Sequence, residues 1–159
     1  MIQIKSASTS EDIQFCSRAL LAFRPMLEPE SLQVQTERMM REGFKLLYIL
    51  DESKNEAAAI LGYRDYEMYR TGKIIYIDDL FTFPEHRGKG YAGALLDYID
   101  LIARNEGIAS VHLDSGYPLH PAHRLYLNKG FVLPCHHFAK NYVETKNKEH
   151  NINTIDNGQ

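Results

Sequence analysis

Apolar and polar residues alternate at the start of the chain, and a helical pattern follows. Residues 2–5 alternate and predict a first strand. Ser8, followed three residues later by Glu11, has the spacing of a capping box, so a helix is expected to start near Thr9. The apolar face of this helix comprises Ile13, Cys16 and Leu20.

Proline, glycine and polar turns divide the rest of the chain into further elements. A second helix is predicted over residues 29–42, because it begins with proline and glutamate and ends before Gly43. The other predicted elements are strands over residues 44–50, 57–68 and 73–83, a helix over 90–105, a strand over 110–114, a short helix over 121–128 and final strand material over 131–142. This order indicates a mixed α/β domain.

Composition limits the class of protein. The 159 residues, 44% hydrophobic and 25% charged, suit one globular domain over residues 1–143, and the polar residues 144–159 are expected to be disordered. With no run of about 20 apolar residues and no secretion-signal pattern, we expect a cytoplasmic protein that does not bind membranes. A net charge of −3 gives no reason to expect nucleic-acid binding. Cys16 and Cys135 are expected to be reduced, buried thiols.

The strongest chemical signal lies between the long strand and the helix that follows it. Residues 84–93 have the sequence Pro-Glu-His-Arg-Gly-Lys-Gly-Tyr-Ala-Gly. The first-turn amides of a helix lack intrahelical acceptors and Arg87 and Lys89 add positive charge, so this segment suits a pyrophosphate. One alternative is a tight turn that uses glycine only for geometry. Another is a dinucleotide site, because Gly88-x-Gly90-x-x-Gly93 imitates that fingerprint, although without an evident parallel βαβ unit.

This segment resembles the cofactor motif of the GNAT family of N-acetyltransferases, Arg/Gln-x-x-Gly-x-Gly/Ala, which residues 87–92 match in full. The likeness continues upstream through residues 77–84. Downstream, residues 122–131 resemble the second motif of the family, and similarity is clear from about residue 74 to 140. The resemblance implies an acyl-CoA N-acyltransferase fold of the GNAT type. Such a fold has a central, mostly antiparallel twisted sheet, splayed between its fourth and fifth strands and flanked by helices.

Acetyl-CoA is the cosubstrate that the resemblance implies, and the family motifs indicate which residues would bind it. The backbone of Leu80, Phe81 and Thr82 would contact the acetyl carbonyl and the pantetheine amides like an added strand. The residues expected to hold the pyrophosphate are Arg87, Gly88, Lys89, Gly90, Tyr91 and Ala92. Leu119 stands where the family often has asparagine, which leaves one expected contact to the cofactor without its usual side chain.

Three residues are candidates for proton transfer. By resemblance, Tyr126 would lie beside the thioester sulfur and protonate the departing thiolate. The acceptor amine must lose a proton, which Asp78 or Asp79 could relay directly or through water. Adjacent strand residues face opposite sides, so at most one aspartate is expected to point into the cleft. The alternatives are a core tyrosine and solvated or ion-paired aspartates.

These observations predict direct transfer of an acetyl group from acetyl-CoA to a primary amine on a small molecule or a peptide. No metal is expected, because the histidine-rich C-terminal half lacks zinc-site spacing around Cys135, His136 and His137. A non-catalytic acyl-CoA-binding sensor or partner module is the alternative, and a nucleotide-binding oxidoreductase is a remote third. The acceptor has no recognisable code in the sequence, and a homodimer is an expectation from the resemblance only.

Overall fold

The structure, a computed structural model, describes residues 1–143. Four helices and five strands form this part of the chain, with a 3₁₀ turn at Pro84–His86. Their bounds are β1 Lys5–Ser6, α1 Ser10–Phe23, α2 Leu32–Arg41, β2 Lys45–Asp51, β3 Glu56–Met68, β4 Gly72–Thr82, α3 Tyr91–Asn105, β5 Ser110–Leu113 and α4 His120–Asn128. The predicted mixed α/β class is confirmed.

A five-stranded sheet in the order β1-β2-β3-β4-β5 forms the centre of the fold. Neighbouring strands from β1 to β4 are antiparallel, while β4 and β5 are parallel. On one face, α1 and α2 bury Cys16, Leu20 and Leu32 in a shared core. On the other face, α3 buries Leu95 and Ile99. Since a fully buried aliphatic side chain contributes about 1.5–3 kcal/mol, these two apolar layers stabilise the sheet between the helices.

Strand β4 extends beyond its neighbour β5. The last parallel pair joins Ile77 to Leu113, whereas β4 continues to Thr82 and remains paired with β3 there. The other edge of residues 78–82 therefore has no strand partner within the described chain. The unpaired edge of β4 confirms the predicted splay between the fourth and fifth strands. It also leaves backbone groups that can hydrogen-bond a ligand.

Two early element boundaries differ from the predictions. Strand β1 comprises Lys5–Ser6 rather than residues 2–5, because pairing with Leu47 and Tyr48 of β2 fixes its position. Helix α2 begins at Leu32 rather than at residue 29. The residues before it form a turn in which the Leu32 N–H donates to the Pro29 carbonyl, a step of three residues.

The capping box of α1 lies one residue later than predicted, although the helix does start next to Thr9. The Asp12 N–H donates to Thr9 Oγ1 at 3.1 Å, and the Thr9 N–H donates to Asp12 Oδ2 at 2.9 Å. The box therefore consists of Thr9 and Asp12 rather than Ser8 and Glu11. The Tyr48 hydroxyl of β2 also donates to Asp12 Oδ1 at 2.6 Å, which joins the cap to the sheet.

The prediction of strand material over residues 131–142 is wrong. Within the described residues that segment contains no strand, and Val132 and Leu133 are exposed. Pro134 lies inside the segment and lacks the N–H that a strand ladder needs. Cys135 is exposed rather than buried. The disorder predicted for residues 144–159 lies outside the described residues, and no helix in residues 1–143 has the length and apolarity needed to cross a membrane.

Candidate active site

The glycine-rich segment forms the entry to α3. The 3₁₀ turn Pro84–His86 precedes it, and α3 begins at Tyr91 with Gly90 as its N-cap residue. Gly88 and Gly90 have φ values of +77° and +80°, a left-handed conformation that glycine adopts without steric cost. No side chain caps the first turn of α3, so its backbone amides can serve an anion.

Hydrogen bonds fix this loop to the rest of the fold. The buried His86 lies with Nε2 3.2 Å from Asp51 Oδ2, and its Nδ1 lies 3.1 Å from Lys89 Nζ. A lysine ammonium only donates, so Nδ1 is the side of the ring that faces the lysine and Nε2 is the side that faces Asp51. The Arg87 Nε donates to the Thr82 carbonyl at 3.3 Å. The two exposed cations of the loop, Arg87 and Lys89, are therefore both held next to the end of β4.

Lys129 is a further cation at this loop, and the sequence analysis assigned it no role. A Cβ atom placed on Gly93, in the first turn of α3, would lie 3.6 Å from Lys129 Cε and 3.7 Å from its Nζ. Lys129 also forms an ion pair with Asp97 of α3. The sequence signal that could have identified Lys129 was its position directly before Gly130, within the segment 122–131 that resembles the second motif of the family.

The end of β4 carries the residues expected to meet the acetyl group. Leu80 packs with the α3-side core and Phe81 with the α1-side core, so their side chains anchor the strand in both layers. The Thr82 hydroxyl is buried and has no hydrogen-bond partner within the described residues. Together with the unpaired strand edge, this hydroxyl gives the segment unused hydrogen-bonding capacity.

Tyr126 projects from α4 into the core on the α3 side. Its ring packs against Phe131 with the ring centroids 5.8 Å apart, and it contacts the cluster that contains Leu95. Burial raises the pKa of the Tyr126 phenol above its ordinary value. The phenol therefore stays protonated at neutral pH, which is the form that can donate a proton.

The acidic pair lies in a β-bulge, which the sequence analysis did not predict. Gly62 pairs with Asp79 and Tyr63 pairs with Ile77, so Asp78 is an extra residue in β4. The bulge removes the strict alternation of sides on which the expectation of one inward aspartate rested. Both carboxylates bind arginines of the fold, and the expectation of at most one inward aspartate stays a prediction.

Arg24 and Arg64 are the arginines that bind the pair. The Arg64 Nη2 donates to Asp78 Oδ2 at 2.6 Å, and its Nε lies 3.0 Å from the same oxygen. The Arg24 Nε donates to Asp79 Oδ1 at 2.8 Å, and its Nη2 donates to the Asp78 carbonyl at 3.2 Å. Sequence reasoning missed both arginines, because neither belongs to a motif.

Asp79 occupies a different environment from Asp78. Burial raises the pKa of the Asp79 carboxyl, and the Arg24 guanidinium offsets only part of that effect. Its side chain is 14% exposed. A carboxylate with a raised pKa is a better proton acceptor than an ordinary surface aspartate at the same pH.

A cavity of about 630 Å³ adjoins Asp79 on the α1 and α2 side of the sheet. The residues that line it come from α1, the connection to α2, α2 itself, the residue before β2 and the part of β4 next to the bulge. They are Leu20, Arg24, Met26, Leu27, Glu28, Leu32, Gln35, Thr36, Met39, Phe44 and Asp79. This volume falls in the range of small-molecule sites.

The histidines form local hydrogen bonds in separate places. His112 Nε2 lies 2.8 Å from Ser110 Oγ, and His123 Nε2 lies 2.9 Å from the Gly116 carbonyl. Within residues 1–143, no group of three or more histidine, cysteine or acidic side chains could hold a metal ion.

Comparison with known proteins identifies the class. A family model described as the acetyltransferase (GNAT) family matches residues 14–131. The chain is 30% identical over 141 residues to YhdJ of Bacillus subtilis (strain 168), named as an uncharacterized N-acetyltransferase, and the match covers 88% of this chain and 99% of that protein. The chain belongs to the GNAT acetyltransferase family.

Solved structures have the same fold at low sequence identity. Ribosomal-protein-alanine N-acetyltransferase from Brucella melitensis biovar Abortus 2308 has a TM-score of 0.74 and 16% identity, over 89% of this chain and all (100%) of that one. The aminoglycoside N-acetyltransferase AAC(6')-Iy in complex with CoA has a TM-score of 0.76 and 12% identity, over 90% of this chain and 96% of that one. These two proteins are named for different acceptors, so likeness of fold does not identify the acceptor here.

Proposed function

We propose that this protein is an N-acetyltransferase that transfers the acetyl group of acetyl-CoA directly to a primary amine. One observation carries the proposal most strongly. In a chain of the GNAT family, an uncapped helix N-terminus with a left-handed glycine loop lies directly after a strand edge that has no partner in the described chain. The loop suits a pyrophosphate and the strand edge suits an extended amide-bearing arm.

The residues present fit acetyl-CoA. Gly88 and Gly90 have open space where a Cβ would lie, so a phosphate can approach the backbone, and Arg87 and Lys89 add positive charge beside it. Tyr91 and Ala92 open α3 and would contribute first-turn amides. Lys129, which is paired with Asp97, lies near the same turn. When bound, acetyl-CoA supplies an acetyl group activated as a thioester.

The end of β4 would hold the acetyl group. The backbone groups of Leu80 and Thr82 face the edge that β5 leaves unpaired, whereas those of Phe81, like the N–H of Phe83, face β3. A backbone N–H from this stretch would stabilise the negative charge that develops on the carbonyl oxygen during attack. The buried Thr82 hydroxyl offers a further donor there.

Asp79 is the better candidate of the acidic pair for receiving the proton of the amine. Arg64 holds Asp78 through two nitrogens, so both oxygens of that carboxylate already accept hydrogen bonds. Asp79 lines the cavity and has a pKa raised by burial. It would take the proton directly or through water, while Asp78 and Arg24 position it.

Tyr126 would complete the transfer as general acid. The amine nitrogen forms a bond to the acetyl carbon, the carbon–sulfur bond breaks, and the phenol gives its proton to the departing thiolate. Its raised pKa keeps that proton on the phenol until sulfur leaves. The proton released by the amine restores the neutral phenol through solvent.

Titration calorimetry of the full chain with acetyl-CoA, coenzyme A and NAD tests this proposal. We expect acetyl-CoA and coenzyme A to bind and NAD not to compete. The double variant Arg87→Gln and Lys89→Gln should weaken coenzyme A binding, and the effect should shrink at high salt because screening reduces the charge term. Binding of NAD in preference to coenzyme A would contradict the proposal. Binding of acetyl-CoA without turnover on any amine would favour a non-catalytic acyl-CoA sensor.

A further inference from the structure

We infer that the acceptor is a small monoamine, with one primary ammonium group on an apolar alkyl or arylalkyl body. This inference rests on the proposed function, because it names the substrate class of the same site. The cavity beside Asp79 is the place where such an acceptor would lie. Its walls, its charges and its size each favour this class over the other amines that transferases of this kind could use.

The walls of the cavity are mostly apolar. Six of the lining side chains are hydrophobic, namely Leu20, Met26, Leu27, Leu32, Met39 and Phe44. The Thr36 hydroxyl donates to the Leu32 carbonyl at 2.8 Å, so its proton is already used. An amino sugar or an aminoglycoside would bring several hydroxyl groups into contact with these walls, where few partners could replace the lost water. An alkyl chain or a phenyl ring forms no hydrogen bonds with water that the cavity would have to replace.

The charges around the cavity fit one ammonium. The ionisable residues of the lining are Arg24, Glu28 and Asp79; Arg24 binds Asp79, and Glu28 has an interaction of its own. The hydrogen bond from Arg24 ends on Asp79 Oδ1, and within the described residues no hydrogen bond reaches Oδ2. Asp79 can therefore accept one ammonium while it keeps its arginine.

The acidic pair is poorly suited to a polyamine. A second ammonium would need a second carboxylate close by. Asp78 already binds Arg64 through both of its oxygens, and Glu28, the other acidic residue of the lining, already has an interaction of its own. A polycation would also approach the guanidinium of Arg24. Both effects oppose binding of spermidine or similar amines.

Size and wall chemistry also oppose a peptide acceptor. Each peptide residue brings a backbone N–H and C=O, which require partners when buried. A cavity of about 630 Å³ with mostly apolar walls offers few such partners but is large enough for a small amine.

Binding measured by NMR titration of the full chain, without acetyl-CoA, tests the inference. The probes are butylamine, hexylamine, phenethylamine, spermidine, glucosamine and a tripeptide with an N-terminal alanine. We expect affinity to rise about fourfold for each methylene added from butylamine to hexylamine, the value for a fully buried methylene. Spermidine, glucosamine and the peptide should bind at least tenfold more weakly than hexylamine. Tighter binding of any of these three, or an affinity independent of chain length, would overturn the inference.

Two neighbouring methionines of α2 provide a matched pair of variants. Met39 lines the cavity, whereas Met40 lines a separate surface hollow with Ser8 and Glu37. Met39→Gln keeps the length of the side chain but makes the wall polar, and should weaken hexylamine binding about tenfold. Met40→Gln should leave it unchanged and reports any general loss of stability. Equal effects of the two variants would contradict the assignment of the cavity.

Coenzyme A release separates failure of this inference from failure of the proposed function. If spermidine, glucosamine or the peptide gives the highest kcat/KM, acetyl transfer stands and the apolar monoamine class is wrong. If hexylamine binds with the expected dependence on chain length but no amine releases coenzyme A, the acetyltransferase proposal fails and the ligand class of the cavity stands.

Discussion

Arg24 Nε lies 2.8 Å from Asp79 Oδ1, which joins the end of α1 to the bulge of β4. The same guanidinium donates to the Asp78 carbonyl through Nη2, so it holds both the side chain and the backbone of the bulge. This contact places a buried carboxylate between the cavity on the α1 and α2 side and the free edge of β4. The site thus depends on a helix and a strand that are 55 residues apart in the sequence.

The buried state of Asp79 predicts a pH dependence of stability. Its folded pKa is raised above the ordinary value of 3.8, so the folded protein binds this proton more tightly than the unfolded chain. The free energy of unfolding of the wild type, relative to Asp79→Asn, should therefore fall as pH rises from 3.8 through the folded pKa. Each unit of difference between the two pKa values corresponds to about 1.4 kcal/mol.

Urea unfolding of both proteins between pH 3 and pH 8 measures this difference. A gap that grows in favour of the wild type as pH rises would show that the ion pair with Arg24, rather than burial, dominates the pKa of Asp79. Arg24→Gln provides the control, since it should steepen the fall by removing the compensating charge.

The capping box predicts the opposite dependence for Asp12. Partial burial raises the pKa of its carboxyl, but hydrogen bonds from Tyr48, Ser8 and Thr9 outweigh it and lower the pKa well below the ordinary value. The stabilisation is present above the unfolded pKa and is lost as pH falls through the folded one. Asp12→Ala should cost about 0.5–2 kcal/mol at pH 7, the range for loss of a capping side chain.

Chemical unfolding at pH 7 and at pH 3 checks this prediction, with Glu11→Ala as the neighbouring control. Glu11 lies in the same first turn but outside the capping box. The loss caused by Asp12→Ala should shrink at pH 3, because this carboxyl gains its proton there in the unfolded wild-type chain but not in the folded protein. Equal losses at both pH values would show that its charge does not contribute.

Gly90 and Gly107 form a matched pair for testing the phosphate loop. Both have positive φ, +80° and +65°, and open space where a Cβ would lie. Alanine at either position should therefore cost about 1–2 kcal/mol of stability through backbone strain. Only Gly90→Ala should also weaken coenzyme A, by about tenfold, or about 1.4 kcal/mol. Titration calorimetry with coenzyme A measures the affinity of both variants. Equal affinities would mean that the Gly90 loop does not hold the phosphates.

The two cysteines should differ sharply in reactivity. Cys16 is fully buried, and burial together with the charge of Asp12 raises the pKa of its thiol to about 12. Cys135 is exposed. Iodoacetamide followed by peptide mass spectrometry should modify Cys135 in the native protein and Cys16 only after unfolding. Comparable labelling of Cys16 in the native state would mean that α1 opens readily.

The parts of the site that local sequence determines could be predicted. The order of strand, glycine-rich turn and helix around residues 84–105 depends on neighbours along the chain, and the structure has it at Pro84–His86 and Tyr91–Asn105. The start of α1 beside Thr9 followed from the same kind of signal. The roles of Tyr126, Asp78 and Asp79 stay predictions, since geometry alone does not test chemistry.

The other features of the site depend on contacts between segments that are distant in the sequence. The periodicity of apolar residues carries no information about such contacts. The bulge at Asp78 arises from the register between β3 and β4 and changes which way the acidic pair can point. The bonds of Arg24 to Asp79 and of Arg64 to Asp78 follow from that register and from the packing of α1. The strand expected over residues 131–142 did not form. Its apolar composition favoured a strand, but Pro134 lacks the backbone N–H that pairing requires.

Transfer of carbon-13-labelled acetyl from acetyl-CoA to amines tests the central claim most directly. The products are identified by mass spectrometry while coenzyme A release is counted, for the wild type and Tyr126→Phe. The account predicts one N-acetyl product per coenzyme A released, with kcat reduced about a hundredfold or more in Tyr126→Phe and coenzyme A affinity unchanged. Release of coenzyme A with labelled acetate as the only product, or no release from any amine, would contradict it.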